Sequence, residues 1–271
     1  MARKAVKARG EAAPALLTVP ETDSEAEIGG VRGPGPWMVA RFTPVSLFSL
    51  KASFASSGVG RTLVVPTPYS VKMALLDAGL STGLIPNESG ADGFVRAMRG
   101  AEVRIGPPDR AVATHTIVKI RQEPKGKTEG VAYTSSVAYR EFVHFRGDLS
   151  FAFDLRTLDK RSAELTCALA PAIRSIGKRG GFIQFLGMER HEELGRRFTV
   201  PLESWESAAD ACHLAWLDDF GPEATFDILN SYSDKSIKRD KHRKFVQTVV
   251  PLGRRSAGPG FTDYSAGMDR S

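Results

Sequence analysis

The sequence predicts an α+β fold built on an antiparallel sheet. Residues 149–155 (LSFAFDL) alternate apolar and polar positions, which is typical of a strand. From Ser70 onward the apolar spacing becomes helical, with Val71, Ala74, Leu75 and Ala78 on one face. Strand and helix patterns interleave without a regular βα period or an internal repeat, which argues against a doubly wound parallel sheet.

Composition narrows the classes of function. The formal net charge of +6 fits a polyanionic partner. The two cysteines, Cys167 and Cys212, lie far apart and lack metal-ligand spacing, so we expect no zinc site, no disulfide framework and no cofactor. No apolar run reaches the roughly 18 residues of a membrane span, and the basic N-terminus lacks the apolar core of a secretory signal. The sequence therefore predicts a cytoplasmic protein that does not associate with membranes.

The predicted folded unit spans residues 37–252. Residues 1–36 are rich in acidic residues, Gly and Pro, and we expect a disordered N-terminal tail there. Residues 253–271 have a similar small, polar composition and predict a flexible C-terminal tail. The unit opens with a strand candidate, WMVARFTPVSLFSLKASF.

The next segment, RTLVVPTPYSVKMALLDAGL, predicts a strand, a stiff double-proline turn and a helix. Ser70 is the expected N-cap and Gly79 the expected stop. Lys72 then projects from a helix N-terminus, where backbone N–H groups favour a phosphate. A solvated lysine in an ordinary strand-turn-helix is the alternative interpretation.

A helix candidate over ADGFVRAMRG, capped by Asn87 or Ser89, precedes a long β-hairpin. We expect hairpin strands at 113–121 and 137–145, and we place the thumb insertion at about 106–137. Even spacing places His115, Lys119 and Arg121 on one face. Lys125 and Lys127 lie in the basic turn. This face suits a nucleic-acid backbone, and a solvated outer face is the alternative.

The second half contains two further basic motifs. A helix up to Pro171 precedes the turn GKRGG (177–181), which feeds into the strand FIQFLGM. The glycines allow close backbone approach to a phosphodiester, although a plain β-turn has the same pattern. Further strand candidates lie at 197–201 and 245–251, and ESWESAADACHLAWLDDFG predicts a short helix. The basic run DKSIKRDKHRK predicts either a charged loop over a binding groove or a solvated loop.

The sequence contains no established catalytic motif. Metal-free RNA cleavage could use Tyr69 or His115 as general base and Lys72 or Lys119 to stabilise the transition state. No pattern in the sequence brings these groups together, so we expect a non-catalytic protein.

Taken together, these segments resemble the Cas five family of CRISPR systems, within the RAMP superfamily of RRM-like proteins. The resemblance rests on ARFTPVSLFSL, on RTLVVPTPYSVKMALL, on YREFVHFRGDLSFAF (139–153) and on the glycine-rich GKRGGFIQF. It covers residues 37–153 and then the GKRGGFIQF segment, and ends before residue 189.

The resemblance implies an RRM/ferredoxin-like antiparallel sheet with helices and a long inserted hairpin, the thumb. It implies a non-catalytic subunit of a type I CRISPR effector complex that caps the 5′ handle of the crRNA. The implied partners are the crRNA, the backbone subunit, the large subunit and target DNA near the PAM. The predicted RNA-binding residues are Arg61, Tyr69, Lys72, His115, Lys119, Arg121, Lys125, Lys127, Lys178, Arg179, Gly180, Lys238, Arg239, Lys241 and Arg243.

Two alternatives remain open at this point. One is a metal-independent endoribonuclease of the same superfamily that processes the CRISPR precursor RNA. The other is an unrelated basic α+β protein.

Overall fold

The structure, a computed structural model, describes residues 30–31, 33, 35–51, 59–122, 133–177, 180–206 and 211–267. The strands, in chain order, are β1 (Trp37–Pro44), β2 (Val59–Gly60), β3 (Val103–Gly106), β4 (Arg110–Gln122), β5 (Thr134–Arg146), β6 (Leu149–Asp154), β7 (Ile183–His191), β8 (Val200–Pro201), β9 (His213–Phe220), β10 (Arg243–Val250), β11 (Gly253–Gly258) and β12 (Phe261–Ser265). The helices are α1 (Pro68–Thr82), α2 (Glu88–Met98), α3 (Lys160–Leu169) and α4 (Phe226–Leu229). No helix in these ranges is long and apolar enough to cross a membrane.

The central sheet has four strands in the order β3-β6-β1-β7, and each neighbouring pair is antiparallel. Helix α1 lies between β1 and β3 in the chain, and α3 lies between β6 and β7. Two split β-α-β units with this strand order make a ferredoxin-like arrangement. The predicted α+β class with an antiparallel sheet is therefore confirmed.

The helices cover one face of the central sheet. Phe42 and Phe151 meet on that face with ring centroids 5.0 Å apart, in the same core cluster as Val71 and Leu75 of α1. On the opposite face Trp37, Val39 and Ala152 form a smaller cluster with two residues from the 194–198 segment. Both faces of β1 are thus buried at its N-terminal half.

Helix α1 begins earlier and ends later than predicted. Thr67 is the N-cap, and it exchanges hydrogen bonds with Ser70 in a capping box, so Ser70 lies inside the first turn. Pro68 occupies the first helical position, where its fixed φ and missing N–H cost nothing. The helix stops at Gly83, which has a φ of 76°. Gly79 is buried within α1, where its missing side chain makes room for Ile85.

The thumb hairpin, β4 with β5, lies between β3 and β6 in the chain, and its strands pair in register from Arg110–Arg146 to Gln122–Thr134. Both strands are longer than predicted, and the hairpin continues to Arg146, past the predicted end of the insertion at about residue 137. Residues 123–132, between the two strands, lie outside the described residues. The predicted flexible C-terminal tail is wrong for residues 253–265. These residues form the β11–β12 hairpin, and β12 pairs with the first part of β4.

A third sheet has the order β8-β10-β9. Residues 213–220, which the sequence assigned to a short helix, form the strand β9 instead. Of the predicted N-terminal tail most residues lie outside the described ranges, but Val31 is described and is buried in the main core. Asn87 caps α2, as predicted.

Candidate nucleic-acid interface

The thumb hairpin presents a mixed basic and apolar face. At its base Ala113 and Val143 pair across the strands and pack into the main core. Because side chains alternate along a strand, Ile117, Lys119 and Arg121 follow on the same face farther out. All three are exposed, Ile117 by 71%. This face of the hairpin is therefore buried in the core at its base and exposed to solvent farther out.

Arg61 lies beside the hairpin because its backbone neighbours are attached to β5. Gly60 pairs with Arg140 in the short parallel strand β2. On the other side the Thr62 N–H donates to Oε2 of Glu141 over 2.8 Å. The Arg61 side chain itself is exposed. We call Arg61, Lys119 and Arg121 together the thumb surface.

Glu141 links the hairpin to the segment that leads into α1. Its side chain is only 8% exposed, and besides Thr62 it faces Nδ1 of His115 at 3.2 Å. The His115 ring also lies 5.7 Å from the Tyr139 ring. His115 is thus partly buried and engaged within the hairpin, unlike Lys119 and Arg121.

A cavity of about 810 Å³ lies between α1, the β9–β10 pair and the segments around residues 50 and 176. One face of α1 contributes five residues to it, from Tyr69 to Asp77. The residues that line the cavity are Ser49, Leu50, Lys51, Leu63, Thr67, Tyr69, Ser70, Met73, Ala74, Asp77, Ser175, Gly177, Asp218, Ser231 and Arg243. Its volume lies in the range of ordinary ligand pockets.

Tyr69 and Arg243 form a stacked wall of this cavity. The Arg243 guanidinium lies over the Tyr69 ring at 4.0 Å and pairs with the carboxylate of Asp218. The Tyr69 ring also meets the Phe220 ring edge-on, with the ring centroids 5.5 Å apart. Burial raises the pKa of the Tyr69 hydroxyl above its usual value, and Arg243 partly offsets that rise. Two predicted RNA-binding residues, Tyr69 and Arg243, are therefore brought together here.

The prediction that Lys72 contacts RNA is wrong for this structure. Its side chain is fully buried, and its ammonium lies 2.7 Å from Oδ1 of Asp219 on β9 and 5.6 Å from the Phe220 ring centroid. Burial lowers the pKa of the Lys72 ammonium, and attraction to Asp219 opposes that shift. With α1 starting at Pro68, Lys72 lies on the face that packs against β9 rather than at the helix terminus.

The GKRGG turn is only partly described. Lys178 and Arg179, like Lys125 and Lys127 of the thumb loop, lie outside the described residues. Gly180 has a φ of 102°, and its carbonyl accepts a hydrogen bond from the Ser46 hydroxyl. The GKRGG segment lies between Ser175 and Phe182, which pair in an isolated antiparallel bridge. Gly177 lines the cavity, so this turn begins at the cavity wall.

The basic run at 235–244 is largely neutralised by its own neighbours. Lys241 pairs with Glu223 at 3.1 Å, and Arg243 pairs with Asp218. Arg239 lies over the Phe245 ring at 4.9 Å with its head group still exposed. Lys238 is exposed. The basic residues are visible in the sequence, but their carboxylate partners lie elsewhere in the chain and are visible only in the structure.

Three charged residues of the cavity were not anticipated as site residues from the sequence: Lys51, Asp77 and Asp218. Asp218 was hidden because the segment around it was interpreted as a helix. Asp77 is eight positions after Tyr69, and that helical spacing is the signal that could have placed it on the same face of α1.

Comparisons with known proteins identify a relative. The chain is 22% identical over 216 residues to a protein of Archaeoglobus fulgidus named CRISPR-associated protein Cas5, covering 78% of this chain and 92% of that protein. The predicted resemblance to the Cas five family is confirmed by this match. A crystal structure of a CRISPR protein from A. fulgidus overlaps with a TM-score of 0.41 at 10% identity, over 86% of this chain and 92% of that one. No protein-family model matches the chain.

Proposed function

We propose that this chain, a relative of Cas5, is a non-catalytic RNA-binding subunit of a type I CRISPR effector complex that holds the 5′ handle of the crRNA. The observation that carries the proposal is the sequence match to Cas5 over most of both chains. In this role the chain also contacts the backbone subunit and the large subunit of the complex, and lies near the target DNA next to the PAM.

The thumb surface supports RNA-backbone contact on physical grounds. Lys119 and Arg121 are exposed cations, and no ion pair to a carboxylate engages either of them within the described residues. Arg61 lies beside the same hairpin. Cations that are not neutralised locally can displace the counterions of a phosphate backbone, and this release of ions drives binding. The loop 235–244 is a weaker candidate because its charges are largely paired.

The proposal is tested by the salt dependence of binding to 5′-handle RNA. The double variant Lys119→Gln with Arg121→Gln is compared with the double variant Lys160→Gln with Arg161→Gln, which changes two exposed cations of α3 outside the thumb sheet. If both thumb residues contact phosphates, the slope of log affinity against log salt falls by about 1.4, because each contact on a single strand accounts for about 0.7. An unchanged slope in the thumb variant removes Lys119 and Arg121 from the RNA interface.

The endoribonuclease alternative has one observation in its favour. The carboxylate of Glu141 lies 3.2 Å from His115 Nδ1, and a carboxylate that orients an imidazole is a common arrangement for a general base. However, Lys72, one of the two lysines expected to stabilise the transition state, is buried against Asp219. Incubation of repeat RNA with the protein in EDTA decides between the two: intact RNA fits the binding subunit, and a discrete handle product that His115→Ala abolishes fits the nuclease.

A further inference from the structure

The cavity between α1 and the β9–β10 pair is not suited to a phosphate. Four ionisable side chains of opposite sign line it: Lys51 and Arg243 are cationic, and Asp77 and Asp218 are anionic. Their formal charges cancel. Arg243 is moreover already paired with Asp218. A phosphate would gain little net attraction here and would meet the Asp77 carboxylate, whereas an uncharged planar group meets no such repulsion.

The stacked wall favours a flat aromatic ligand. The Arg243 guanidinium lies over the Tyr69 ring, 4.0 Å from its centroid, and the Phe220 ring meets Tyr69 edge-on. Unpaired bases of single-stranded RNA stack on aromatic rings and on arginine planes. The cavity volume of about 810 Å³ leaves room for a nucleotide beside this wall.

Asp77 adds a hydrogen-bond acceptor to the wall of the cavity. Its carboxylate is exposed, and it makes no ion pair within the part of the chain that the structure describes. An ionised carboxylate only accepts hydrogen bonds. Guanine presents two adjacent N–H donors, N1–H and the 2-amino group, on its Watson–Crick edge. Adenine and cytosine place a single amino donor beside a ring-nitrogen acceptor, and uracil flanks its one N–H with carbonyls.

We infer that this cavity binds one unpaired guanine of the RNA, stacked on the Arg243–Tyr69 wall, with its Watson–Crick edge on the Asp77 carboxylate. Lys51 supplies a cationic donor at the same cavity for the guanine O6. The inference rests on the proposed RNA-binding function. It separates two tasks within the chain, because the thumb surface takes the backbone and the cavity takes a base.

The test uses short single-stranded uridine oligomers that carry one guanosine, one inosine, one adenosine or no substitution. Affinity for the full chain is measured by fluorescence anisotropy at one stated salt concentration. The guanosine oligomer is expected to bind about 5- to 150-fold more tightly than the adenosine oligomer, the range of a bidentate base contact. Inosine, which lacks the 2-amino group, falls between them.

The variant Asp77→Asn replaces an acceptor by an amide whose NH₂ group opposes the guanine donors. It is expected to lose the guanosine preference and to keep its affinity for the uridine oligomer. Asp148→Asn makes the same change of charge at an exposed position away from the cavity, and is expected to keep the preference.

Each other outcome overturns a specific statement. Equal binding of all oligomers by the wild-type chain overturns the guanine site and leaves the RNA-binding function standing. A guanosine preference that persists in Asp77→Asn overturns the placement at this cavity. Absence of binding to every oligomer and to 5′-handle RNA overturns the proposed function together with the inference.

Discussion

The burial of Lys72 leads to a prediction that separates a structural lysine from an RNA-binding one. Its ammonium is 0% exposed and lies 2.7 Å from Asp219, whose side chain is 12% exposed. The variant Asp219→Asn removes the negative partner and leaves a buried positive charge uncompensated. Breaking a buried ion pair in this way costs about 3–5 kcal/mol. For a folded unit of this size, that corresponds to a melting temperature lower by about 6–20 °C.

Two matched variants make the comparison specific. Lys72→Met removes the fully buried charge and fills the same space with an apolar chain. The Asp219 carboxylate that it leaves behind is partly exposed and keeps Lys244 as a partner, so this variant is expected to cost less than Asp219→Asn. The second partner of Asp219 is Lys244, at 3.6 Å and with a side chain 43% exposed, and Lys244→Met is expected to cost no more than about 1 kcal/mol. RNA affinity of Lys72→Met should match that of the wild-type chain.

The pH dependence has a definite sign. Burial lowers the pKa of Lys72 in the folded chain, so the unfolded chain binds the lysine proton more strongly. Stability therefore rises with pH as the lysine loses its proton. The difference in free energy of unfolding between the wild-type chain and Asp219→Asn should be largest near neutral pH and should become smaller toward about pH 10.

Urea denaturation of the four proteins at neutral and alkaline pH measures these differences. An exposed ion pair contributes no more than about 1 kcal/mol. The buried ion pair is therefore contradicted if the free energy of unfolding of Asp219→Asn at neutral pH lies within about 1 kcal/mol of the wild-type value. A loss of RNA binding in a folded Lys72→Met protein contradicts the structural role of Lys72.

Three further predictions concern the elements that position the site. Thr67→Ala removes the capping box of α1 and should lower the free energy of unfolding by about 1 kcal/mol in urea denaturation, whereas no loss contradicts the cap. Gly79→Ala places a methyl group against Ile85 and should lower the free energy of unfolding by about 1–3 kcal/mol. Gly93→Ala in α2 places its methyl group in open space and should raise the free energy of unfolding. Equal effects of the two variants would refute the close packing at Gly79. Removal of residues 253–271 uncovers the edge of β4, so amide hydrogen exchange should accelerate at residues 110–115 and should not change in β6. Unchanged exchange at 110–115 contradicts the pairing of β4 with β12.

The sequence predicts the hairpin and three of the four central strands, β1, β6 and β7, because their signals are local, and it misses the short strand β3. Alternation in 149–155 locates β6, and Asn87 locates the start of α2. The thumb is recognisable because two strand patterns flank a basic turn. These elements follow from the pattern of neighbouring residues, without information from the rest of the chain.

The elements that the sequence misses depend on distant partners. β9 resembles a helix segment in sequence because Asp218 and Asp219 interrupt its apolar pattern, and both are tolerated in the interior because Arg243 and Lys72 pair with them. The polar, glycine-containing β11 and β12 form strands because β4 offers an edge. Lys72 looks like a phosphate ligand until Asp219, far along the chain, is placed beside it.

The most direct test of the central claim is the identity of the RNA that the chain binds in cells that contain a CRISPR array. The tagged full-length protein is purified, and the bound RNA is sequenced beside RNA from a tag-only control. We expect strong enrichment of RNAs that begin with the repeat-derived 5′ handle, and a weaker enrichment when Lys119 and Arg121 are both changed to Gln. An RNA population that does not differ from the control would contradict it.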